Sequence, residues 1–172
     1  MSRIEIHKND ITRLSTDAIV NAANERLAEG GGVCGAIFRA AGSSELAKEC
    51  ARYGHCNTGD AVITSACNLK SVKYIVHAVG PIYRDGKHGE PEQLYSCYKS
   101  SLSLAKENRC RSIAFPLISS GIFGYPNDEA WCIALKACTD FIAENPDYDI
   151  SIVFVATSRE KVEEGKRIYT SL

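Results

Sequence analysis

Strand-like apolar runs alternate with helix-periodic segments along the whole chain, and this alternation limits the possible folds more than any other feature. Ile4 to Asn9 alternates apolar and polar residues, the pattern of an edge strand. Ala18 to Ala23 (AIVNAA) is a short apolar run that reads as a buried strand. Ala61 to Thr64, Tyr74 to Val79, Ser112 to Phe115 and Ile150 to Val155 are further predicted strands. A helix is predicted from Val33, with Ile37, Ala40 and Ala41 at helical spacing, and a second from about Ser43 to Arg52. Pro91 suits a first helical residue, and Leu94, Tyr98, Leu102 and Ala105 then mark one face. Ala130, Ile133, Ala134, Ala137 and Phe141 mark another helix, and Ser158 is placed to cap a last one ending near Tyr169. The pattern implies an α/β sandwich with a largely parallel sheet covered on both faces.

The chain has 172 residues, which suits one domain spanning 1–172. No linker, repeat or low-complexity segment divides it. A formal charge of −1 provides no broad basic field, so neither nucleic acid nor an anionic membrane is an expected partner. The opening MSRIEIHKND reads as a charged strand rather than a signal or transit peptide. No apolar run approaches the roughly 20 residues of a membrane span. A soluble, cytoplasmic protein is expected, with its eight cysteines reduced and acting as small hydrophobes. Cys50, His55 and Cys56 lie close in sequence, but no fourth ligand is spaced to complete a usual zinc set, so no metal is expected.

Two of the predicted strands, AIVNAA and SIAF, lead into glycine loops that precede helices: GGGVCG at 30–35 and SSGIFGYP at 119–126. In open α/β sheets, ligands bind outside the carboxyl ends of the strands. Successive N–H groups in such loops form anion-binding concavities, and a helix N-terminus adds partial positive charge. Two such loops suit a diphosphate gripped from both sides. Gly30, Gly32 and Gly35 also match the G-x-G-x-x-G of dinucleotide folds, but Glu25 to Glu29 separate them from their strand, which is the wrong context. Asn24 offers two donors and an acceptor suited to sugar hydroxyls, or else bonds its own turn. Asp10 suits an amino group such as that of adenine, or else caps the following turn. His77, on an apolar strand, reads as a satisfied core histidine, and Tyr125 and Trp131 as packing residues.

These stretches, with NDIT (9–12), GDAVIT (59–64) and YIVHAVGP (74–81), resemble the macrodomain family, and most of all its MacroD-type ADP-ribose hydrolases and O-acetyl-ADP-ribose deacetylases. The resemblance implies a three-layer α/β/α sandwich with a mixed, largely parallel sheet and an ADP-ribose cleft. It places Asp10 on the adenine amino group and the Ile11 backbone on the ring. Asn24 would bond the distal ribose. Gly32, Val33 and Cys34 would line the first phosphate and ribose loop. Ser120, Gly121, Ile122, Phe123 and Gly124 would wrap the diphosphate with backbone amides, and Phe123 would pack on the distal ribose.

The chain departs from the MacroD pattern twice. Cys34 stands where the usual motif, GGGVDG, has Asp; alphavirus-type macrodomains resemble this chain in having Cys there. A helix N-terminus can lower a thiol pKa and raise its thiolate content. The second departure is at Ala156 and Thr157, where an aromatic residue often stacks on adenine; Phe154 is the nearest candidate to replace it. The implied activity is hydrolysis of the ester joining ADP-ribose to acidic side chains of mono-ADP-ribosylated proteins, or deacetylation of O-acetyl-ADP-ribose. It would need no cofactor, would be carried by a monomer, and would rest on Asn24, Cys34 and Phe123. The alternative is a reader that binds ADP-ribose without turnover.

Overall fold

Successive residues of the strand Ala18–Ala23 (β2) face opposite layers. Ala18 and Val20 join the larger apolar core, and Ile19 and Ala23 join a second core on the other face of the sheet. The computed structural model describes residues 1–172. Around β2 stand β1 (Arg3–Lys8), β3 (Ala61–Ser65), β4 (Tyr74–Val79), β5 (Ser112–Phe115) and β6 (Ser151–Ala156), in the order β1-β6-β5-β2-β4-β3. All neighbours are parallel except β3, which runs antiparallel to β4. The sheet is therefore mixed and largely parallel, and β1 is an edge strand.

The helices α1 (Gly32–Ala41) and α2 (Ser43–Ala51) cover the smaller core. The other face is covered by α3 (Glu90–Glu107) and α4 (Asn127–Glu144), and α5 (Arg159–Ser171) packs beside α4. Three layers result because the central strands β2, β4 and β5 bury both of their faces. The Ser158 hydroxyl accepts from the Lys161 amide at 3.3 Å and starts α5 as the sequence implies. Pro91 is the second residue of α3 rather than the first. Glu90 takes the first place because its carboxylate accepts the amides of Arg84, Asp85, Gly86 and His88 and so folds the preceding loop onto the helix. The last strand runs one residue later than the apolar run suggests, because its full length pairs with β1.

The connections place the site. From β2 the chain passes through α1, α2 and β3 to β4 on one side; from β4 it crosses by α3 to β5 on the other. The strand order thus reverses at β2 and β5, a topological switch point. These two strands pair only at Ala18–Ile113 and Ile19–Ala114. Beyond that they part, and the loops that follow them open a cleft at their carboxyl ends.

Candidate functional site

A cavity of about 530 Å³ occupies this split, a size usual for small-molecule sites. Its wall includes Asp10, Ile11, Asn24, Gly32, Val33, Cys34, Ser120, Gly121, Ile122 and Phe123. The structure therefore brings together ten of the eleven residues singled out from the sequence. The eleventh, Gly124, lies outside the wall. It turns the loop at φ 74°, and its amide is spent on the Gly121 carbonyl at 3.0 Å. The Ser120 amide likewise turns back, to Leu117 O at 3.3 Å. The expectation that all five loop amides face a diphosphate is thus corrected. Those of Gly121, Ile122 and Phe123 have no acceptor within the chain and remain available.

Across the cleft, α1 begins at Gly32 with no side-chain cap. The first amides of a helix have no intrahelical partner, and those of Gly32, Val33 and Cys34 find none elsewhere in the chain. The two loops meet over the cavity: Ile122 Cδ1 lies 3.8 Å from where a β-carbon on Gly31 would stand. Free N–H groups thus line both sides of one concavity, an arrangement that favours an anion.

Asn24 holds its own loop. Its Nδ2 donates to Ala28 O at 2.9 Å and its Oδ1 accepts the Ala28 amide at 3.1 Å. One donor and one acceptor position of the carboxamide remain for a ligand. Cys34 is 6% exposed, and its thiol also donates to Ala28 O, at 3.7 Å. Burial pushes the Cys34 thiol up, only partly opposed by the Gly30 amide and the Asn21 side chain. Burial thus works against the thiolate that a helix N-terminus would promote, and the direction is toward the thiol. Asp10 does both things its sequence position allowed. Its Oδ1 accepts the Thr12 amide and hydroxyl, at 2.9 and 2.7 Å, and caps a short turn. These bonds hold its pKa below the usual value, and Asp10 still forms part of the wall.

Phe154 does not reach the cavity. It is fully buried in the opposite layer, where it stacks on Phe115 at 5.5 Å and meets Trp131 edge-on at 5.4 Å. Strand alternation puts Val155 on the cleft side instead, and the wall near Asp10 is completed by Val155, Ala156 and Thr157. His77 is fully buried and is not part of the cavity wall. Its Nε2 lies 3.0 Å from Thr64 Oγ1, which itself donates to Ser65 O, so Nε2 carries the proton. Nδ1 then accepts from Asn21 Nδ2 at 3.0 Å. Burial lowers the imidazole pKa to about 4, and the ring acts as a packed polar strut. Cys50 is buried 3.8 Å from His77 Nε2, whereas His55 bonds Asn57 Oδ1.

Sequence reasoning missed Lys161, which lines the cavity from the first turn of α5. A signal was present. Three residues after the Ser158 cap, where Glu or Gln favours a helix start, the chain has a lysine. It also missed Ser119, held at φ 68° against Gly80, whose buried hydroxyl has no partner.

A family model described as Macro domain matches residues 20–134. The chain is 46% identical to a protein named O-acetyl-ADP-ribose deacetylase from Escherichia fergusonii, over 99% of this chain and 95% of that one. It is 49% identical to a protein named ADP-ribose glycohydrolase MACROD2 from Homo sapiens, over 88% of this chain and 36% of that protein. Among solved structures, the Oceanobacillus iheyensis macrodomain with ADP superposes with a TM-score of 0.90 at 38% identity, covering 99% of this chain and 91% of the other.

Proposed function

The chain belongs to the Macro domain family, and from that premise we propose that it binds ADP-ribose and hydrolyses esters at its distal ribose. The substrates are mono-ADP-ribosylated acidic side chains, O-acetyl-ADP-ribose, or both. One observation carries the reading: two loops with unspent amides face each other across a cleft at the β2–β5 split. The diphosphate lies against Gly121, Ile122 and Phe123. The adenine end lies toward Asp10 and Ile11, and the distal ribose toward Asn24, Val33 and Cys34.

Catalysis then rests on positioning. The spare donor and acceptor of Asn24 align the ribose, the Phe123 ring packs against it, and water attacks the ester held there. Loop amides offset charge near the phosphates. Cys34, buried and protonated, is neither base nor nucleophile and shapes the ribose side of the cleft. The eight unpaired cysteines suit a reducing compartment, so we place the protein in the cytoplasm. A charge of −1 gives no support to nucleic-acid binding.

Cys34 is also the observation that favours a second reading, an ADP-ribose reader without turnover. Release of ADP-ribose from a protein modified on glutamate, compared for wild type, Asn24→Ala and Cys34→Asp, separates the two. Release by wild type that is lost in Asn24→Ala supports the hydrolase. ADP-ribose binding without release of either ADP-ribose or acetate supports the reader, and activity gained only in Cys34→Asp would identify the missing group.

A further inference from the structure

Lys161 stands where helix electrostatics oppose it. It is the third residue of α5, next to the positive end of the helix, where carboxylates are favoured and cations are not. It is also half-buried and has no carboxylate within ion-pair distance. Its Nζ donates to Ser120 Oγ at 3.1 Å, and that hydroxyl is itself fixed on Leu117 O at 2.6 Å. Lysine carries three donors, so two remain. Asp10 and Lys161 are the only charged side chains in the cavity wall. Burial lowers the lysine pKa, with Glu164 in partial opposition, as expected of a cation that lacks its counter-ion.

The order of strands says what anion fits. From β1 to β2, the strand ends present Asp10, then Ala156 and Thr157, then the Ser119–Phe123 loop, then Asn24. Lys161 follows β6 and touches the loop after β5. It therefore lies between the nucleobase end and the diphosphate loop. We propose that Lys161 binds the adenosine-side phosphate of the ligand by a charge-assisted hydrogen bond, adding ionic selectivity to a site otherwise built from neutral amides. This rests on the ADP-ribose reading and deepens it. It also suits a nucleobase end whose wall is Val155, Ala156 and Thr157, none of which offers a stacking ring.

Titration calorimetry of wild type, Lys161→Met, Lys161→Arg and Lys161→Glu with ADP-ribose, at low and high salt, tests the proposal. Adenosine serves as the ligand without phosphate. Lys161→Met weakens ADP-ribose about tenfold or more and flattens its salt dependence, leaves adenosine unaffected, and raises KM rather than lowering kcat. Lys161→Arg retains most of the affinity. Lys161→Glu completes a capping box with Ser158, so the fold stays at least as stable while ADP-ribose binding is lost. A purely structural lysine would not separate those two readouts. Equal ADP-ribose affinity in wild type and Lys161→Met overturns the lysine proposal alone. No binding by wild type overturns the ADP-ribose reading and this proposal with it.

Discussion

Asn24 and Cys34 donate to one acceptor, the Ala28 carbonyl, at 2.9 and 3.7 Å. The carboxamide and the thiol flank Gly30, whose β-carbon position lies 3.8 Å from Asn24 Nδ2 and 3.9 Å from Cys34 Sγ. This side of the cleft is thus one unit, in which the loop, the amide and the thiol hold one another. Asn24→Ala removes both bonds to Ala28 and the carboxamide's spare donor and acceptor. Turnover of an ADP-ribosyl ester should fall roughly 100-fold, with a smaller loss of ADP-ribose affinity. Equal losses in both, from single-turnover rates and calorimetry, would count against an aligning role.

Cys34 is buried and its thiol is pushed up, so it should resist alkylation at pH 7.5. The exposed Cys132 serves as internal comparison. Peptide mass mapping after brief iodoacetamide treatment should show Cys132 modified and Cys34 intact. Rapid modification of Cys34 would mean a thiolate open to the cleft.

The His77 imidazole is neutral in the fold, with its pKa lowered to about 4, whereas the unfolded ring takes a proton near pH 6.5. A lowered histidine pKa means that the unfolded state binds more protons, so stability falls as pH falls. The loss should approach about 1.4 kcal/mol per pH unit between roughly pH 6.5 and 4. Urea unfolding of wild type and His77→Gln across this range checks it. Parallel pH profiles for the two proteins would refute the assignment.

Burial works to raise the Glu90 carboxyl pKa, but the amides of Arg84, Asp85 and His88 bonded to it carry it well below the usual range. A lowered carboxylate pKa stabilises the fold fully above the unfolded value of about 4.3, and this is lost as pH falls from there toward the native value. Glu90→Gln should therefore be less stable than wild type at neutral pH, with the gap closing in acid. Hydrogen exchange at Arg84, Asp85, Gly86 and His88 should speed up at neutral pH. The effect should reach the site, because the Tyr83 amide in this loop donates to Phe123 O at 2.8 Å.

Gly80 packs under the second glycine loop. A β-carbon there would stand 2.3 Å from Ser119 Oγ and 2.5 Å from Ile118 Cγ2. Gly80→Ala should cost about 1–3 kcal/mol, the usual range for overpacking. It should also weaken ADP-ribose binding by displacing the loop. Unchanged thermal unfolding and affinity would show that the loop yields freely.

The sequence by itself determined the elements and the chemistry of the loops. Ala18–Ala23, Tyr74–Val79 and Ser112–Phe115 are strands where their apolar runs stand, and Ser158 caps where its type and place imply. These are local properties, set by side-chain pattern and backbone preference within a few residues. The tertiary structure alone decided the parting of β2 from β5, and with it the cleft. It also decided which amides stay free: Ser120 and Gly124 lose theirs to turns that residue types alone do not reveal. Cys34 sits at a helix start, as the sequence implies, yet burial, which residue type alone does not reveal, pushes its thiol up. Phe154 is one residue from Val155, and strand alternation sends it to the opposite core. Lys161 meets Ser120 across 41 positions of sequence. Hydrogen-bond partners and desolvation depend on which distant segments pack together, so they exist only once the layers have assembled.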